Sequence, residues 1–213
     1  MLTPSTAPTL ALAGLWLRAA SLAALAAYTT TNSGLGLWLP LVDLVASTVL
    51  LALWTPLMGR VLRGGVVLTT DPLRTAVSML YPWVIAFEGT LWLLFTFLPA
   101  VAGVYPVNPV ASTVQVTVSG VGILVSFLAY LWSVRFMVNP ADTAGRSSLV
   151  DVANLAAALA AAQAVLTVVP LGGMPAQTLA SQVLYTGANV IEAASWLLLR
   201  WALLSAARTE RPD

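Results

Sequence analysis

A chain of 213 residues that is 59% hydrophobic and 8% charged carries about a third of the charge of an average soluble domain, so it does not stay in water as a monomer. It has no cysteine, no histidine and no lysine, all nine basic residues being arginine; this excludes disulfides, thiolate nucleophiles, iron–sulfur and histidine-ligated haem centres, ordinary catalytic zinc, a retinal Schiff base and a serine–lysine dyad. A formal net charge of +1 leaves no basic surface to displace phosphate counterions, so nucleic acid is not an expected partner, and no cofactor is expected.

Apolar runs of about 20 residues, the length a helix needs to cross a bilayer, recur along the whole chain. The opening MLTPSTAPT lacks the basic region of a cleavable signal, so the first run, read from about Leu10 to Tyr28, is expected to be a retained span. Arg18 lies roughly 12 Å into it at about 1.5 Å per residue, deep enough to need a partner or a snorkel path. Thr29 to Gly36 reads as a polar turn. Pro40 then opens a second span to about Met58, with Asp43 near its start.

The following loop, Gly59 to Arg74, holds Arg60, Arg63 and Arg74 and ends in Asp71-Pro72, an N-cap followed by proline at the first helical position. A third span from there to about Leu98 contains Pro82, which predicts a kink beside Tyr81. Pro99 to Thr113 is an uncharged connection, and a fourth span runs from about Val114 to Met137. After Asn139-Pro140, Ser148 with Asp151 three residues on reads as a capping box for a fifth span reaching about Pro170. Its alanine-rich centre, Ala156 to Ala164, predicts the most enclosed helix, because small residues let helices approach closely in lipid. A sixth span runs from about Gln182 to Leu204.

Two stretches in this order resemble each other. Tyr81 to Trp92, YPWVIAFEGTLW, and Tyr185 to Trp196, YTGANVIEAASW, each place a tyrosine seven residues before a glutamate and a tryptophan four after it; the glutamates, Glu88 and Glu192, are 104 positions apart. A weaker echo relates Leu41-Val42-Asp43 to Leu149-Val150-Asp151. The expected fold is therefore all-α: a single polytopic membrane domain of six transmembrane helices, with halves of approximately 1–104 and 110–208. Three spans per half make the second half inverted relative to the first, an arrangement that places binding sites near the midplane at the repeat interface.

The arginines orient the bundle. Arg60, Arg63, Arg74, Arg135, Arg146, Arg200, Arg208 and Arg211 fall in or beside the loops after spans two and four and the C-terminal tail, whereas the other loops have none. The positive-inside rule then puts both termini in the cytoplasm of a multi-pass protein of the cell (inner) membrane.

Ionisable groups at the bilayer centre cost at least ~2.5 to 3.5 kcal/mol on insertion scales, which makes Glu88 and Glu192 the leading site candidates. Spacings of seven and eleven put Tyr81, Glu88 and Trp92, and likewise Tyr185, Glu192 and Trp196, on one helical stripe. Arg18, at similar depth, can pair with either glutamate or with Asp43. Asn189, Tyr185 and Gln163 are candidate polar lining, against the alternative that they hydrogen-bond between helices. Asp43 and Asp151 read as helix caps or as gates at the two mouths. Trp38, Trp54 and Trp201, near span ends, read as interfacial anchors.

No metal-ligand cluster or phosphate-cradling glycine loop appears, though carboxylates converging in space could hold a hard cation. A three-helix pair with a glutamate in each half resembles the membrane-embedded lycopene cyclases in outline, and that resemblance would imply acid–base chemistry on an isoprenoid; their proline-x-glutamate-glutamate motif is absent at Glu88 and at Glu192. The functional expectation is a carrier or channel for a small solute or ion, with proton coupling through the carboxylate pair. The alternatives are an intramembrane acid–base enzyme on a lipid and a non-catalytic subunit of a membrane complex. The lipid bilayer is the expected surround, with a homo-oligomer or a membrane partner compatible with it.

Overall fold

The computed structural model of the chain describes residues 6–33, 38–103, 109–168 and 179–209, which are helical almost throughout and include no strand. Helix α1 spans Ala7–Ser33, α2 Trp38–Leu62, α3 Pro72–Trp92, α5 Pro109–Val138, α6 Thr143–Val168 and α7 Leu179–Thr209. Helix α3 is prolonged by a π-helical turn, Leu93–Phe97, and a short helix α4, Leu98–Val101.

Five stretches among the described residues are long and apolar enough to cross a membrane: Ala7–Tyr28, Leu41–Leu62, Pro72–Val101, Val116–Val138 and Thr143–Val168. Helix α7 has the length, at 31 residues, but Gln182, Asn189, Glu192 and Arg200 dilute its apolar character. The exterior is apolar as well. Trp83, Leu179 and Val101 are among many large side chains on the outside, a surface suited to lipid rather than water.

The long helices close a ring in chain order, α1 on α2, α2 on α3, α3 on α5, α5 on α6, α6 on α7 and α7 back on α1. Contacts are most extensive where α7 meets α1 and α6. Small residues make that approach possible. A Cβ at Gly14 of α1 would collide with the Ser195 hydroxyl of α7, and α6 buries Ala153, Ala156, Ala157, Ala160 and Ala164. The alanine-rich helix is the most enclosed of the five apolar stretches, as its composition predicts.

Burial is concentrated at one end of the ring. The main apolar cluster joins Leu12 and Leu15 of α1, Leu57, Met58 and Val61 of α2, Val77 of α3, Phe136 and Met137 of α5, Leu149 of α6, and Leu199 and Leu203 of α7. This is also the end that carries the arginine-bearing loops. Both loops are tied down by an ion pair of 2.7 Å, Arg60 to Asp71 and Arg135 to Asp142. Asp71 caps α3 as its Asp-Pro sequence predicts, accepting from the Leu73 amide at 2.9 Å. Gly64, at φ 81°, makes the left-handed turn that brings Arg60 and Asp71 together.

Three sequence expectations are corrected. Helix α6 begins at Thr143, so its cap is Asp142, whose Oδ1 accepts from the Ala144 and Gly145 amides at 3.1 Å; Ser148 lies a turn inside and donates to the Ala144 carbonyl. Asp151 is the ninth residue of that helix and exposed, not part of a capping box. Asp43 is the sixth residue of α2, past the first turn, and therefore no cap. Trp54 is buried in the core and donates to Ser133 Oγ at 3.0 Å rather than anchoring an interface. Helix α3 continues through Pro82, and a π-helical turn follows Trp92. The Trp38 side chain lies outside the described residues.

Candidate functional site

A cavity of about 400 Å³ occupies the middle of the ring. Each wall is set by helix direction. Helices α1 and α3 run away from the arginine-bearing end and α2, α5 and α7 run towards it, so the cavity has two layers. Nearer that end, Leu15, Leu50, Trp54, Tyr81, Tyr130 and Trp196 form an aromatic and aliphatic floor resting on the packed cluster. In the other layer lie Arg18 of α1, Asp43 and Ser47 of α2, Glu88 of α3 and Glu192 of α7. Three carboxylates thus share one cavity with one guanidinium.

The floor is cross-linked. Tyr81 and Tyr130 stack with centroids 4.0 Å apart, and each donates across the α3–α5 interface, Tyr81 to the Ser126 carbonyl at 2.7 Å and Tyr130 to the Ser78 carbonyl at 3.3 Å. Trp54 fixes α2 to α5 through Ser133. These bonds hold a polar tip of each aromatic while its ring faces apolar neighbours.

The acidic groups have different partners. Glu192 Oε2 lies 2.7 Å from Arg18 Nε, and its Oε1 is 3.4 Å from the Trp196 indole nitrogen one turn on. The guanidinium contact is a close ion pair rather than an aligned hydrogen bond, since the Arg18 Nε–H is not aimed at an acceptor. Glu88 Oε1 accepts from the neutral Ser47 hydroxyl at 3.0 Å. Asp43 Oδ1 is shielded from the surroundings and has no hydrogen-bond partner. Among the described residues no three acidic side chains come close enough together to hold a metal ion.

A second cavity of about 170 Å³ lies between α5, α6 and α7, lined by Ser119, Gly122, Ala156, Ala160 and Gln163. It shares Arg18, Ile123, Ser126, Glu192 and Trp196 with the first, so the Arg18–Glu192 pair stands between the two chambers.

Of the residues singled out from the sequence, Glu88, Glu192, Arg18, Asp43 and Tyr81 meet in the central cavity and Gln163 lines the second. Asn189 does not; it is buried and donates back to the Tyr185 carbonyl of its own helix at 3.0 Å. Tyr185 does not line the cavity and is partly exposed, yet its phenol hydrogen-bonds with Asn189 and lies within electrostatic reach of Arg18 and Glu192, whereas Asp151 sits on the exposed side of α6. Ser47, Trp54, Ser126 and Tyr130 line the cavity without having been singled out for it, because a serine or aromatic inside an apolar run carries no signal of which way it points. Compared with protein-family models, with curated proteins and with solved structures, the chain finds no match.

Proposed function

We propose that this chain is a membrane carrier or channel for a small solute or ion, working through the central cavity, with Glu88 as the exchanging carboxylate and the Arg18–Glu192 pair as the fixed charge beside it. The observation that carries this reading is the cavity itself: about 400 Å³, lined by ionisable groups from α1, α2, α3 and α7, inside a bundle whose outside is apolar. Ionisable groups turned towards a cavity are the usual mark of a transport path in such a bundle. Glu88 suits proton coupling because its partner is the neutral Ser47, so it can gain or lose a proton without breaking an ion pair.

In this reading the arginine-bearing loops face the cytoplasm with both termini, by the positive-inside rule. The aromatic floor then closes the cavity on the cytoplasmic side, and the polar layer faces the opposite leaflet. The inverted repeat rests on the sequence echo between Tyr81–Trp92 and Tyr185–Trp196 and is part of the proposal. Flux in proteoliposomes tests it. Glu88→Gln should abolish uptake of protons or solute that the native protein supports, whereas normal flux in both Glu88→Gln and Glu192→Gln would remove the reading. If lipid extracts change on expression and each variant abolishes that change, the cavity is instead the site of acid–base chemistry on a lipid.

A further inference from the structure

We infer that the central cavity takes a small lipophilic organic cation, an inference that rests on the carrier reading and names its substrate class. Three carboxyl groups against one guanidinium leave the cavity with an excess of acidic groups over basic ones. Glu192 is already engaged by Arg18, so the uncompensated groups are Asp43 and Glu88, one with no hydrogen-bond partner at Oδ1 and the other with only a serine hydroxyl. A charged group in such surroundings is costly unless something of opposite sign joins it.

The kind of cation follows from the rest of the lining. An inorganic ion such as calcium or sodium replaces its hydration shell with several oxygens at once. No three acidic side chains among the described residues converge closely enough for a carboxylate cage, and the Tyr81 and Tyr130 hydroxyls of the floor are turned to the Ser126 and Ser78 carbonyls. Trp54, Tyr81, Tyr130 and Trp196 instead present aromatic surface beneath the carboxylates, the combination that receives an alkylammonium by cation–π attraction and apolar contact together. A volume of about 400 Å³ falls in the range of pockets that bury a small organic molecule.

The test is equilibrium binding of radiolabelled tetraethylammonium to the full-length protein in nanodiscs, with sodium at matched ionic strength as competitor. Asp43→Asn and Glu88→Gln are the variants, chosen because neither breaks an ion pair; circular dichroism melts check that each is folded. The native protein should bind, sodium should not displace the probe, and each variant should bind at least tenfold more weakly. Absence of binding by the native protein, unchanged affinity in both folded variants, or full displacement by sodium each overturns the organic-cation assignment. Flux separates the two claims. If tetraethylammonium does not bind but Glu88→Gln still abolishes proton or solute flux, the substrate class falls and the carrier stands; if it binds at the carboxylates but no flux of any solute depends on Glu88, the cation site stands and the carrier falls.

Discussion

The two copies of the tyrosine–glutamate–tryptophan stretch have the same spacing and different surroundings. In α3, Tyr81 and Trp92 both reach across to α5, Tyr81 to the Ser126 carbonyl and Trp92 to Ser119 Oγ at 2.8 Å, and Glu88 is held by a serine. In α7, Tyr185 is partly exposed, but its phenol hydrogen-bonds with Asn189 and lies within electrostatic reach of Arg18 and Glu192; Trp196 points back at its own Glu192, and the glutamate is tied to Arg18. One copy is a cross-linked wall whose carboxylate is held by a hydroxyl; the other is a strut whose carboxylate is paired with an arginine. Equal spacing therefore fixed a helical stripe in both but not a role, because the role comes from what the neighbouring helix supplies: an arginine from α1 in one case, a serine from α2 in the other.

The largest expected effect separates the two glutamates. Arg18→Ala leaves Glu192 without its cation in a partly enclosed site and should lower stability by about 2 kcal/mol, between the values for exposed and buried pairs. Adding Glu192→Gln should recover most of that loss in thermal melts, while adding Glu88→Gln should recover none. Equal rescue by both would mean that Arg18 serves the glutamates alike and would erase the distinction.

Next in size is the packing contrast. Gly14→Ala drives a methyl group into the Ser195 hydroxyl on the tight α1–α7 side and should cost about 1–3 kcal/mol. Gly187→Ala, where an added Cβ meets nothing within 4 Å, should instead stabilise α7 by about 0.5–1 kcal/mol through helix propensity. Melting temperatures of the two variants should move in opposite directions. Reactivity gives a third test: a hydrophobic carbodiimide, which attacks protonated carboxyls, should modify Glu88 in preference to Glu192, read by mass spectrometry of the labelled peptides.

The smallest effect lies at the loops. The Gly145 amide and the Arg135 guanidinium, with the Ala144 amide, hold the Asp142 carboxyl below its ordinary value of 3.8. At Asp71 partial desolvation pushes upward, but the Arg60 hydrogen bond and the Leu73 amide outweigh it, so that carboxyl is lowered too. A carboxyl lowered in the folded state contributes stability above its unfolded value, lost as pH falls through the folded one. Asp142→Asn should therefore melt below the native protein at neutral pH, with the gap closing as pH drops below 3.8. A gap that widens in acid would reverse the assignment.

Much of this was legible in the sequence, and the failures have specific causes. Glu88, Glu192 and Arg18 announce themselves as charges inside apolar runs, since burying them needs partners. The Ala156 to Ala164 run forecasts close packing because small side chains have little other use in lipid. Asp43 was misjudged because Pro40 was read as the helix start; α2 begins earlier, at Trp38, which takes Asp43 out of the first turn and into the cavity wall. Trp54 looked terminal for the related reason that α2 continues to Leu62. Asn189 and Tyr185 share a helix with Glu192 without lining its cavity, because spacing along a helix does not alone say which residues turn inward.

The central claim is that the polar layer of the ring is open to water while the aromatic floor seals it from the arginine-bearing end. The chain has no native cysteine, so single cysteines can report on this without background. Ser47→Cys and Ser126→Cys, in the cavity wall, and Ser133→Cys, buried behind Trp54, should be exposed to a membrane-impermeant maleimide in proteoliposomes. The account predicts labelling at 47 and 126 and none at 133. Protection at all three, in folded protein, would describe a dry and fully packed bundle and would contradict it.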